Sequence, residues 1–147
     1  MTVTRFLQFA KQFGKYCDQR FAPLSQAHGL SMREINVLLF LANNPGYDTA
    51  RDITEYRGIS TSQVSQAVDF LVELEYLTRT PDADDRRLLH LSMTGEGRKV
   101  AAQAQAIQAQ CGQDLLSGMT EDQVRQLQEL WDMVMANGER LAAEVGQ

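Results

Sequence analysis

Apolar residues recur along the chain with two periods, and the points where the period changes mark the elements. Over 4–22, Phe6, Phe9, Phe13, Tyr16 and Arg20 fall at helical spacing, with Ala10, Cys17 and Phe21 alongside. The pattern predicts a long amphipathic helix with a wide aromatic face, ended by Pro23. Ser31 to Asn43 is nearly all apolar through Ile35, Leu38, Leu39 and Leu41, so a second helix should be buried on most sides before Asn43-Asn44-Pro45-Gly46 ends it. Asp48 or Thr49 can cap a short third helix that buries Ala50 and Ile53, with Gly58 as its left-handed terminator. The next helix, Thr61 to Glu75, places Val64, Val68, Leu71 and Val72 on one face and Thr61, Ser62, Gln63, Ser65, Gln66 and Asp69 on the others. Such a helix is pinned on one side and free to read something on the other.

From Leu77 the period shortens. Leu77–Thr80 and Leu88–Ser92 read as strands of a hairpin, joined by Pro81-Asp82-Ala83-Asp84-Asp85-Arg86-Arg87, a solvated and charged tip. Helical spacing returns over 95–118 with Val100, Ala104, Ile107, Cys111 and Leu115, and again with Val124, Leu127, Trp131, Val134 and Leu141. Three helix starts carry the spacing of a reciprocal cap, in which a Ser or Thr and a Glu or Gln three residues on each bond the other's backbone N–H: Ser31…Glu34, Ser60…Gln63 and Thr120…Gln123. The first helix and the last two present more apolar surface than one small domain covers, which predicts a helical dimer interface.

Residues 48–94 thus run helix, turn, polar-nosed helix and arginine-tipped hairpin without interruption, the order of a winged helix-turn-helix. The expected fold is mainly α with one small β-hairpin. It is a single domain over 1–147, with a winged-helix lobe at 31–94 flanked by dimerisation helices at 1–30 and 95–147. A length of 147 residues fits one such unit, and 44% hydrophobic with 22% charged residues is ordinary for a globular protein. No apolar run reaches the roughly 18 to 20 residues that span a bilayer, and the N-terminus lacks a signal-peptide pattern, so no membrane partner and a cytoplasmic location are expected.

Charge complicates the picture. The net charge is −5, and over 48–98 six arginines stand against ten acids, giving 6 − 10 = −4. DNA binding must then be local and shaped rather than driven by bulk charge, with a shallow salt dependence. Cys17 and Cys111 have no Cys-x-x-Cys spacing, and the two histidines, His28 and His90, form no cluster, so no metal or cofactor is expected. No nucleophile comes with a base and an orienting partner, so the chain is not read as an enzyme.

The stretch Leu-Thr-Arg-Thr-Pro-Asp-Ala-Asp-Asp-Arg-Arg-Leu-Leu-His-Leu-Ser-Met-Thr-Gly-Glu-Gly over 77–97 resembles the wing of the MarR family of bacterial transcription regulators. The pattern is carried by Asp85-x-Arg87, five residues, then Met93-Thr94-Gly95-x-Gly97, with Met93 a volume-conserving departure from Leu. The resemblance implies a homodimeric, sequence-specific DNA-binding transcriptional regulator, a repressor released by a small aromatic or phenolic effector. Its two reading helices would enter successive major grooves of a pseudo-palindromic double-stranded DNA operator. Thr61, Ser62, Gln63 and Gln66 would then read base edges and Ser65 a phosphate, while Arg79, Arg86 and Arg87 contact DNA and Asp85 positions Arg87 through an ion pair. The competing reading of the arginines is a solvated loop balanced by Asp82, Asp84 and Asp85. For the effector, Phe13, Tyr16, Arg20, His28, Met32 and Arg33 could line a cavity, against a plain aromatic core stripe with Arg20 reaching to water. Cys17 near Lys15 or Arg20 could have a lowered pKa, although both cysteines read more simply as small apolar residues. His90 reads as a packing or surface residue. The rival to the whole reading is a winged helix that docks protein, with weak or no DNA binding.

Overall fold

The computed structural model describes residues 2–145 and contains six helices and one antiparallel hairpin among them. The chain divides into two compact units, Met1–Cys111 and Gly112–Gln147. The first holds α1 (Val3–His28), α2 (Met32–Asn43), α3 (Ala50–Arg57), α4 (Thr61–Glu73), β1 (Leu77–Pro81), β2 (Leu89–Met93) and most of α5 (Gly95–Leu115). The second contains the end of α5 and α6 (Glu121–Val145).

The first helix does not stop before Pro23 but runs through it to His28, ending at Gly29 in the left-handed conformation, φ 64°. Proline removes one helical hydrogen bond and crowds the preceding turn, a cost of about 3 kcal/mol. Phe21 and Leu24 on either side are both buried, and their packing on the core offsets that cost.

The core of the first unit gathers Ile35, Val37 and Leu38 of α2, Ile53 of α3, Val64, Ala67, Val68 and Leu71 of α4, Leu77 and Leu91 of the hairpin, and Val100, Ala101 and Ala104 of α5. The caps that aim these helices are visible. Ser31 and Glu34 close the expected reciprocal cap on α2, and Thr120 and Gln123 do so on α6, with bonds of 2.9 and 3.3 Å. Ser60 accepts from the Gln63 N–H, but the Gln63 amide oxygen meets the Ser60 hydroxyl at 3.2 Å rather than its backbone. A reciprocal cap not foreseen in the sequence joins Thr49 to Asp52 at the start of α3.

Three carbonyl contacts set the base of the hairpin. The α4 chain leaves its helix through Glu75 at φ 59°, with the Tyr76 N–H returning to the Leu71 carbonyl at 2.9 Å. Thr94, ahead of α5, donates its hydroxyl to the Glu75 carbonyl at 2.7 Å and its N–H to the Tyr76 carbonyl at 3.0 Å, and its hydroxyl accepts from the Gly97 N–H at 3.1 Å. A Cβ on Gly97 would lie 2.1 Å from the Tyr76 carbonyl oxygen. The glycine in Met93-Thr94-Gly95-x-Gly97 is therefore a matter of space: two backbones touch there.

Candidate nucleic-acid interface

Because Val64, Ala67, Val68 and Leu71 all face the core, the polar residues between them must face out. Thr61, Ser62, Gln63, Ser65, Gln66 and Asp69 are all exposed along α4. The turn from α3 places Gly58 at φ 62° as its left-handed residue, and Ser60 then caps α4. After this helix comes the hairpin, with Leu77 opposite Met93 and Pro81 opposite Leu89. On the free edge of β2, Thr49 bridges His90 and the Leu91 N–H donates to the Asp48 carbonyl at 2.7 Å, so residues 48–49 act as a third short strand.

The wing tip is folded by its own acids. Asp82 Oδ1 accepts from the N–H groups of Asp84 and Asp85 at 2.8 and 3.0 Å. Asp85 Oδ1 accepts from the Arg87 backbone N–H at 3.0 Å. This corrects the expected Asp85–Arg87 ion pair: a carboxylate two residues back bonds the backbone of an Asx-type turn more readily than it meets a side chain directed outward. Arg86 and Arg87 are both exposed, and no ion pair is found for either guanidinium among the described residues.

Arg79 differs from the tip arginines. It forms an ion pair with Asp69 of α4, across a shallow cleft of about 310 Å³ between α4 and the hairpin, lined by Ala50, Ser65, Val68, Asp69, Arg79, Leu89 and Leu91. The sequence placed Asp69 on the outer face but did not anticipate that it would hold an arginine expected on DNA.

His90 is more than the packing or surface residue expected. Its Nδ1 lies 2.8 Å from Asp48 Oδ1 and its Nε2 2.9 Å from Asp82 Oδ2. The hydrogen bond to Asp82, then the one to Asp48, raises the His90 pKa. In return the bond from His90, followed by those from the Asp85 and Asp84 N–H groups, lowers Asp82 to about 2.

The six residues expected around an effector are not brought to one place. Phe13 and Tyr16 are half-buried and stack, centroids 6.1 Å apart, and Phe9 continues the stack. Arg20 is exposed. Met32 packs on the core, and His28 bonds the Tyr76 hydroxyl at 3.2 Å and Gln103 at 3.4 Å. Arg33 instead donates to Gln66 Oε1 at 2.9 Å, because its face of α2 lies against α4. It thereby adds a cation beside the exposed row of α4, which its place in the sequence among aromatic residues concealed.

Cys17 is pushed up to about 11, first by burial and then by a hydrogen bond with Cys111, the opposite of the lowered value that Lys15 or Arg20 would give. Two thiols nearly a hundred positions apart in sequence meet here between α1 and α5, a neighbourhood that spacing alone does not reveal.

A capped helix-turn-helix, an exposed polar row on its second helix and a hairpin with arginines at its tip make up a winged helix, a shape suited to laying one helix in a DNA major groove. The model of the MarR family matches residues 28–88. The regulator TcaR of Staphylococcus aureus, described as an HTH-type transcriptional regulator, is 22% identical over 134 residues, 87% of each chain. The solved structure of the transcriptional regulator PA3341 is 27% identical, with a TM-score of 0.76 over 93% of this chain and 97% of that one. A MarR transcriptional regulator from Methanosarcina mazei is 17% identical and superimposes with a TM-score of 0.79 over 96% and 94%. Over residues 28–88 the chain is thus similar to the MarR family, and its whole length has the winged-helix fold of these solved structures. No described helix is long and apolar enough to cross a membrane.

Proposed function

We propose that the protein is a homodimeric, sequence-specific transcriptional repressor acting in the cytoplasm on a pseudo-palindromic operator, with residues 31–94 reading DNA and segments 1–30 and 95–147 dimerising. The observation that carries this reading is the exposed row Thr61, Ser62, Gln63, Ser65 and Gln66 on a helix otherwise fixed by its buried face. Gln63 and Gln66 offer the donor and acceptor pair that matches adenine in the major groove, and Thr61 and Ser62 the small hydroxyls that bond bases. Ser65, nearer the hairpin cleft, bonds a phosphate. Arg86 and Arg87 reach the adjacent minor groove, presented by the turn that Asp85 holds. Arg79 enters the interface only as far as Asp69 releases it.

A second copy is the natural cover for the apolar surface. Val3, Leu7, Phe6 and Phe9 of α1 are exposed at 40% or more. In the second unit α6 buries no residue at all and exposes Leu130, Trp131, Met133, Val134 and Leu141. An effector with an aromatic ring and a carboxylate suits the stacked Phe13 and Tyr16 with Arg20 a turn further on. The acidic balance of 48–98 favours one rival, a winged helix that docks a basic protein partner.

Selection of bound duplexes from random DNA, followed by footprinting and sedimentation, tests the proposal. The expected result is a dimer protecting two half-sites with centres about 34 Å apart. Failure to retain any duplex at low salt, with a normal dimer, would leave the protein-docking reading in its place.

A further inference from the structure

His90 sits where three parts of the lobe meet. It lies on β2, opposite Thr80 of β1 and bridged to Thr49 ahead of α3, and each of its ring nitrogens faces a carboxylate. One carboxylate, Asp48, belongs to the segment that leads into α3 and hence to the helix-turn-helix. The other, Asp82, is the acid that folds the wing turn through the N–H groups of Asp84 and Asp85.

Ionised carboxylates only accept hydrogen bonds, and a neutral imidazole has one donor nitrogen and one acceptor. Neutral His90 can therefore satisfy one aspartate while turning a lone pair toward the other. Only the imidazolium donates to both at 2.8 and 2.9 Å. We propose that His90 is the positioning residue of the wing, its imidazolium clamping Asp82 to Asp48 so that operator binding depends on pH through this one side chain. The proposal rests on the DNA-binding reading above.

The charged groups around the ring all act in one direction. Asp82 and then Asp48 raise its pKa, and the smaller opposing effect of burial does not cancel them. Thr49 and Thr80, its backbone partners from the two neighbouring strands, carry no charge, and Asp52 behind Thr49 is also acidic. Asp84 and Asp85 reach the ring only through Asp82, and the nearest arginine on β1, Arg79, is held by Asp69. Asp82, at about 2, stays ionised throughout the neutral range, so the histidine is the partner that titrates.

The sign follows from the direction of the shift. His90 has a raised pKa in the folded protein, so the clamp is complete below the ordinary histidine value and is lost as pH rises through the raised one. Once it opens, the wing turn loses its anchor to the helix-turn-helix, and Arg86 and Arg87 lose a fixed position beside the reading helix.

Two measurements on the full-length protein test this. In the first, NMR of the histidine ring nitrogens without DNA follows His90 and His28, the only two histidines, between about pH 5 and 8. His90 should carry a proton on both nitrogens at the acid end and titrate above the ordinary value, with the amide signals of 82–90 following its titration. Titration at or below the ordinary value, or wing signals that do not follow it, would overturn the clamp. In the second, affinity for a duplex selected from random sequence by the wild-type protein is measured over the same range. The wild type should weaken severalfold toward the alkaline end. His90→Gln should bind weakly with little pH dependence, and His90→Arg, a permanent cation with two donors, should restore tight binding at every pH. Retention of DNA with the same pH dependence in wild type and His90→Gln overturns the clamp alone. Absence of retention at every pH overturns the DNA-binding reading itself.

Discussion

Replacing Asp69 by Asn should convert a reader of weak electrostatics into a stronger one. In the native protein Arg79 is paired with Asp69, and the two side chains are 33% and 57% exposed. So exposed a pair contributes at most about 1 kcal/mol to folding, and the variant should fold normally. Asn removes a negative charge from the face of α4 and frees Arg79 to take a phosphate. Each additional phosphate neutralised steepens the dependence of log K on log salt by about 0.9, so a dimer gains about 1.8. Between about 50 and 200 mM salt, a fourfold change, that slope corresponds to roughly tenfold more loss of affinity than in the wild type, from a tighter starting point. Fluorescence anisotropy of a labelled duplex across that range reads the slope directly. Arg79→Ala is the control and should leave the wild-type slope unchanged. A slope in Asp69→Asn equal to wild type, or a shallower slope in Arg79→Ala, would refute the idea that Asp69 withholds this arginine from DNA.

Further outcomes follow from the base of the hairpin and from the cysteine pair. Gly97→Ala places a Cβ 2.1 Å from the Tyr76 carbonyl oxygen, an overpacking cost at the upper end of about 1 to 3 kcal/mol, or some 5 to 10 °C in Tm by calorimetry. Gly95→Ala, with nothing within 4 Å, should show no such loss. Glu75 holds a left-handed φ of 59°, so Glu75→Gly should gain about 0.5 to 1 kcal/mol in urea unfolding. Cys17, raised from 9.0 to about 11, should react with iodoacetamide near neutral pH roughly a hundredfold more slowly than a free cysteine, because the thiolate is the nucleophile. A rate equal to that of free cysteine would contradict its burial against Cys111.

The elements were legible because their signals are local. The spacing of Val64, Val68 and Leu71 sets the face of α4, and Gly58 and Ser60 set its start. Pro23 misled because its cost is local whereas the burial of Phe21 and Leu24 that offsets it depends on residues from other helices. The exposed row on α4 was readable for the same reason, yet the fate of its charges was not. Asp69 meets Arg79, Arg33 meets Gln66 and His90 meets Asp48 across sequence gaps of 10, 33 and 42. Such pairings are decided by which faces the fold lays together, and a lone His, Arg or Asp carries no periodicity to reveal them. Gly97 lies between these cases: the motif marks the position, but only the approach of the Tyr76 carbonyl explains why no larger residue fits.

The three bonds of Thr94, with the Gly97 contact beneath them, also have a mechanical meaning. They weld the first turn of α5 to the chain just past the end of α4, leaving α4 as a rigid arm of 13 residues with its reading end remote from the weld. Such an arm is about 20 Å long, so a tilt of about 10° at the weld sweeps its tip by about 3.5 Å. That is close to the roughly 3.4 Å rise of one base pair along a strand. A rotation of that size, with Val64 and Ala67 repacking against the core as it occurs, would therefore move the reader by about one base-pair step.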